Sequence, residues 1–267
     1  MKETTPSAYG DFSRLLRDKN VAVLEHNVPS SVDPGRCALT QGTTVIAVKF
    51  KGGVLNVSDR RATAHNVILY DEAEKVMALD DDTLISIAGA YAPAVEAVRF
   101  LKHSFKYYER SQLQQLSLEG KLSEVTRVLG RSLAGALQGV GGFVPIISAY
   151  DRKRQVGRIF CYDIMGARFE TRQFGAAGSG AVQIKGALEY VLREKGPFEQ
   201  MGLKKALKEL FVLLDIAASL DSATGGLWGW LPVAKTVTND GVATVETRLL
   251  KQAQQAAQSG RASLEVR

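Results

Sequence analysis

The stretch Thr43-Thr-Val-Ile-Ala-Val-Lys-Phe-Lys-Gly-Gly-Val-Leu-Asn-Val-Ser-Asp59 decides the fold. Its two halves are rich in β-branched residues, which sit well on a pleated surface, and Lys51-Gly-Gly53 between them is turn chemistry. The expectation is a β-hairpin that begins abruptly at Thr43.

Upstream the character is different. Pro6, Ser7, Asn27, Pro29, Ser30, Ser31, Pro34 and Gly35 punctuate residues 1–42, and only a short stretch from Phe12 to Leu24 has apolar spacing. Residues 1–42 read as a detachable leader.

Downstream, strand patterns at 75–79 and 83–88 precede helical spacing over 93–108. A second helix is predicted over 118–138, with Leu122, Val125, Val128, Leu129 and Leu133 on one face, before Gly139-Val-Gly-Gly142 breaks it. Strands return at 145–150, 157–164 and 168–174. Helices are expected at 181–195 and 203–219, then a last strand over 242–248 and a polar, frayed tail from about residue 250. Strands, helix pair, strands, helix pair and strand suit two sheets lying between helical layers, although several α+β folds share that order.

Bulk properties narrow the function. With 267 residues and 45% hydrophobic content, one domain is enough to bury a core. The net charge of +6 comes from Lys and Arg interspersed with acids, which reads as a solvated surface and not a nucleic-acid footprint. Cys37 and Cys161 lack zinc-site spacing and form no disulfide framework, so a reducing cytoplasm is expected. His26, His65 and His103 share no ligand spacing, and no metal or cofactor is expected. No signal peptide or membrane-spanning run is read.

In order along the chain stand Gly42-Thr43-Thr44, Ser58-Asp59-Arg60-Arg61-Ala62-Thr63, Lys75, Ala88-Gly89, Gly178-Ser179-Gly180 and Asp221-Ser-Ala-Thr-Gly-Gly226. Each is common alone. Together, over roughly residues 40–250, they resemble the β subunits of proteasomes, most closely the bacterial, actinobacterial-like kind. The resemblance implies an α+β, four-layer αββα sandwich of the N-terminal-nucleophile hydrolase type. It also implies a leader, 1–42, removed by self-cleavage between Gly42 and Thr43 to leave a catalytic domain over 43–267.

The implied chemistry is that of a threonine endopeptidase. A threonine hydroxyl is a weak nucleophile and needs a base, which a free α-amine with a pKa near 8 supplies. That amine exists only once Gly42 has been cut away. The resemblance makes Thr43 the nucleophile, Lys75 a charge beside it, and Asp59 the partner that orients Lys75. It gives the Gly89 N–H to the oxyanion, and Ser179, Asp221 and Thr224 to the hydrogen bonds around the new terminus. Read without it, Asp59 and Lys75 are a surface pair, Gly89 a turn residue and Ser179 a helix cap. Thr224 stands where the family often has serine and keeps the hydroxyl. The family's first substrate pocket maps onto Ala62, Ala73, Met77, Ile87 and Tyr91, implying cleavage after hydrophobic residues. Trp228 and Trp230 depart from the bacterial pattern and read either as a subunit contact or as packing over the core, packing being the preferred reading.

Homo-heptameric β rings stacked in pairs, α-subunit rings, an ATPase activator ring and unfolded protein substrates are the partners implied. A catalytically silent ring subunit of the same fold is the alternative. The simpler two-ring bacterial relative has shorter subunits and no leader of this length.

Overall fold

A computed structural model describes residues 12–19, 43–64, 67–137, 141–227 and 229–265. The hairpin forms as expected: β1 (Thr44–Phe50) pairs antiparallel with β2 (Gly53–Ser58). Almost every residue in both strands is buried, which explains a continuous apolar run where a half-exposed strand would alternate with polar residues. The period of two sorts them instead. Val45 and Ala47 face one apolar layer, while Ile46, Val48 and Phe50 face another.

After β2 come a short ribbon, β3 (Ala62–Ala64) with β4 (Val67–Tyr70), and then β5 (Val76–Asp80) and β6 (Thr83–Gly89). Helices α2 (Tyr91–Gln112) and α3 (Leu118–Leu137) follow; α1 (Phe12–Asp18) precedes β1 in the chain. Next are β7 (Phe143–Asp151), β8 (Val156–Tyr162), β9 (Arg168–Thr171) and β10 (Phe174–Gly178). Helices α4 (Ala181–Lys195) and α5 (Leu203–Leu220), strands β11 (Val233–Thr238) and β12 (Gly241–Thr244), and helix α6 (Thr247–Glu265) complete the order. Among the described residues no helix is long and apolar enough to cross a membrane.

Two five-stranded sheets result, β10-β1-β2-β11-β12 and β5-β6-β7-β8-β9. Val45, Val54, Val233 and Val237 of the first meet Val76, Leu84, Ile146 and Ile159 of the second. The outer face of the first sheet is covered by α4 and α5 through Ile184, Leu188, Leu210, Phe211 and Leu214. The outer face of the second is covered by α2 and α3 through Val98, Leu101, Phe105, Leu122 and Val125. The four layers are therefore helix, sheet, sheet, helix, the αββα sandwich of the N-terminal-nucleophile hydrolase type.

Three sequence expectations need correction. The strand expected over 168–174 is two strands in different sheets: β9 ends at Thr171, and the chain crosses so that Phe174–Gly178 pairs with β1. The last strand, expected over 242–248, is β12 of an antiparallel pair with β11 that reaches only Thr244. The tail from about 250 is not frayed. It is helix α6, whose Leu250, Ala253 and Ala257 recur at helical spacing and are buried in the cluster shared with α5. Alanine is small, so this apolar stripe is weak in sequence, and the glutamines beside it mask it.

Candidate active site

Topology gathers the site. β1 begins at Thr44, its antiparallel neighbour β2 ends at Ser58, and its other neighbour β10 ends at Gly178, opposite Thr44. Thr43, Asp59 and Ser179 therefore emerge side by side at one edge, although up to 136 residues separate them in sequence. Gly178 makes this possible. Its φ is +104°, and a Cβ there would lie 2.0 Å from the Thr43 carbonyl oxygen.

Asp59, itself 1% exposed, is the centre of a largely buried polar cluster. Oδ1 accepts the Thr44 backbone N–H at 2.8 Å and the Lys75 Nζ at 2.8 Å. Oδ2 accepts the backbone N–H groups of Arg61 and Gly225, each at 2.9 Å. Four donors on one carboxylate satisfy its lone pairs, as a charge without water requires. Lys75 also donates to the Arg61 carbonyl at 2.5 Å. Burial holds the Lys75 ammonium below its usual pKa of 10.5; Asp59 pulls it back up and Arg61 pushes it further down.

A second arm runs through hydroxyls. Thr224 Oγ1 and Ser179 Oγ both lie 2.6 Å from Asp221 Oδ2, and Thr224 Oγ1 is 2.6 Å from Thr44 Oγ1. As a carboxylate, Asp221 only accepts, so Thr224 and Ser179 donate to it and Thr44 donates to Thr224. Ser179 Oγ is then left with lone pairs for the Thr43 N–H, 3.5 Å away. Thr44 is thus clamped twice, at its backbone by Asp59 and at its side chain by Thr224. Thr43, 4% exposed, is the residue these clamps position.

Gly89 ends β6 with φ +108°, where a Cβ would meet the Gly142 carbonyl oxygen at 2.6 Å, so only glycine fits. Of the five pocket residues expected, Met77, Ile87 and Tyr91 share the cluster beneath α2, and the Tyr91 hydroxyl bonds the Glu74 carbonyl. Ala73 is buried and tied by its N–H to the Arg60 carbonyl, and Ala62 opens β3. Asp59 and Lys75 are no surface pair. Sequence reasoning assigned no role to Thr44, Gly225 or the Arg61 carbonyl; the one available signal was a second threonine, Thr44, at a strand start where both faces are apolar. Trp230 is half exposed beside a recess lined by Asp59, Arg61 and Gly225, so for it the packing reading fails. Trp228, His26, His65, Cys37 and Gly42 lie outside the described residues.

An αββα sandwich with a buried threonine, Thr43, just before its first strand and a buried Asp59–Lys75 pair bonded to the next residue, Thr44, is consistent with the N-terminal-nucleophile hydrolase class. Residues 39–226 match the sequence profile of the proteasome subunit family. The chain belongs to that family, and its similarity is to β-type members. It is 34% identical over 240 residues to the proteasome subunit beta of Streptomyces griseus, covering 89% of this chain and 83% of the relative. It is 35% identical over 246 residues to that of Acidimicrobium ferrooxidans, covering 91% and 86%. It is 39% identical over 189 residues to that of Acidothermus cellulolyticus, covering 69% and 63%.

Proposed function

We propose that this chain is the precursor of a catalytic β subunit of a 20S proteasome core, a threonine endopeptidase activated by cleavage of its own Gly42–Thr43 bond. The observation that carries the reading is the buried cluster on Asp59. It ties Lys75 and the Thr44 N–H to one carboxylate immediately beside Thr43. Removing two charges from water is expensive, and a chain with a purely structural role has no need to retain the pair there.

The steps follow from the groups present. In the precursor the Thr43 nitrogen is an amide and no base. After scission it is an amine of pKa near 8, able to take the Thr43 hydroxyl proton directly or through water. The Lys75 ammonium favours the alkoxide-like oxygen and, by repulsion, the neutral amine. The hydroxyl attacks the substrate carbonyl, and the Gly89 N–H receives the developing oxyanion. The amine passes its proton to the leaving nitrogen, and the ester left on Thr43 is hydrolysed by water activated by the same amine. Ser179, Asp221 and Thr224 hold that amine in place.

Met77, Ile87 and Tyr91, with Ala62 and Ala73, form an uncharged first pocket, so cleavage follows hydrophobic residues. The assembly is of seven-membered β rings stacked in pairs and capped by α-subunit rings, in the cytoplasm. An ATPase ring feeds it unfolded protein.

The assembled protein is assayed on peptides carrying a fluorogenic amide after a hydrophobic, acidic or basic residue. Wild type is expected to cleave the hydrophobic series fastest and Thr43→Ala to cleave none. Equal hydrolysis by both rules out Thr43 as nucleophile. Equal rates on all three series rule out the pocket.

A further inference from the structure

The leader's helix α1 is docked. Phe12 and Leu16, four residues apart and so on one face, pack against the cluster formed by α2 and α3. The Phe12 ring lies 5.5 Å from Phe100, 6.4 Å from His103 and 5.6 Å from Tyr107, centroid to centroid, all tilted. Phe100, His103 and Tyr107 are spaced three and four apart and form one stripe on the face of α2 that meets α1. Arg131 of α3 adds its guanidinium 5.5 Å from the Phe100 ring centroid.

A seven-residue helix does not persist alone in water, because nucleation costs more than one or two turns return. The helical state of residues 12–18 therefore depends on α2. Two apolar side chains and three ring contacts are also too small an interface to hold a separate peptide against its lost translational freedom. What makes up the difference is the covalent tether. Residues 20–42 join α1 to Thr43 covalently, and a connection within one chain makes docking intramolecular, with an effective concentration on the order of millimolar.

We propose that the Phe100–His103–Tyr107 stripe of α2 is a docking surface for the chain's own leader, occupied while leader and body are one chain and uncovered when the link is cut. Scission at one edge of the sandwich is thereby reported on the outer helical layer. The inference rests on residues 1–42 being a leader. It does not depend on Thr43 cutting it.

The test uses the full chain carrying Thr43→Ala, so that its own chemistry plays no part, with a site for a specific protease substituted into residues 28–33. Amide exchange of residues 16–19 is followed by mass spectrometry, and hydroxyl-radical labelling of Phe100 and Tyr107 reports the stripe. In the intact chain exchange is expected to be about ten-fold slower than in the same chain with Phe12→Ala. After the protease cut, exchange in residues 16–19 and labelling of the stripe are expected to rise to the Phe12→Ala level. Exchange at the unstructured rate in the intact chain overturns the docking. Protection that survives the cut overturns the dependence on the tether. Neither outcome bears on Thr43 as a nucleophile, which the peptide assay decides.

Discussion

Asp59 and Lys75 form an ion pair at 2.8 Å in which the two side chains are 0% and 2% exposed. A pair so buried is not justified by its own stability, since its desolvation cost rivals its attraction. Removing one partner is asymmetric. Asp59→Asn leaves a buried ammonium facing a neutral amide and is expected to cost about 3–5 kcal/mol in denaturant unfolding. Lys75→Met leaves Asp59 with three backbone donors and is expected to cost less. Under the proposed function both are expected to abolish peptide hydrolysis. An Asp59→Asn cost under about 1 kcal/mol, the range of an exposed pair, contradicts the burial.

The same lysine has a signature in pH. Its folded pKa lies below 10.5, burial being the largest cause. Just below 10.5 the unfolded chain therefore binds more protons than the folded one, and Lys75's contribution to stability rises with pH through that interval. Lys75→Met removes this slope. The check is the denaturation midpoint of both proteins, measured stepwise towards pH 10.5. Parallel curves refute the assignment.

Thr224 links Thr44 to Asp221. Thr224→Ser keeps the hydroxyl and is expected to retain activity, whereas Thr224→Ala strands the buried Thr44 hydroxyl and loosens the first strand. The loss is expected to be about 1–2 kcal/mol, on the order of ten-fold in kcat/KM. Equal activity of the two variants would show that the hydroxyl chain does not position Thr43.

Gly178→Ala places a methyl against the Thr43 carbonyl at a backbone angle that side chains rarely adopt. The expected cost is about 1–3 kcal/mol, and residues 1–42 are expected to be retained because the Thr43 carbonyl is displaced. Intact mass of the purified chain reads this directly.

Far from the site, Arg158 bonds both Glu170 oxygens, at 2.9 and 2.7 Å, and holds the Glu170 carboxyl below its usual range. A depressed acid stabilises above its unfolded pKa and loses that contribution as pH falls through the folded value. Glu170→Gln is therefore expected to cost up to about 1 kcal/mol at neutral pH, allowing for solvent screening of a side chain 42% exposed. The difference from wild type closes as pH falls below about 4.5, in the same unfolding assay.

The legible parts of the fold were those with strong apolar periodicity. The β1–β2 hairpin and helices α2 to α5 are announced by their own residues, because each buries a face that only one period satisfies. Three features were not. The crossing between β9 and β10 depends on which sheet accepts Phe174, a matter of tertiary pairing. Helix α6 hides behind alanine and glutamine. Docking of α1 depends on a partner surface some ninety residues away, Phe100, which no local pattern reveals. At the site, Asp59 and Lys75 are ambiguous as residues, since the same pair on a surface is commonplace. Their burial comes from antiparallel pairing of β1 with strands on both sides. Thr44 passed unnoticed because its hydroxyl partner, Thr224, is 180 residues away.

Cleavage of the leader by Thr43, which then becomes the working terminus, is the step on which the proposed function stands. Its most direct test is the N-terminal sequence and intact mass of the assembled protein, co-expressed with its α partner, beside a Thr43→Ala control. A wild-type chain beginning at Thr43 with a control that keeps residues 1–42 is the predicted result. An assembled wild-type chain that still carries its leader contradicts the account and makes the chain a structural ring subunit.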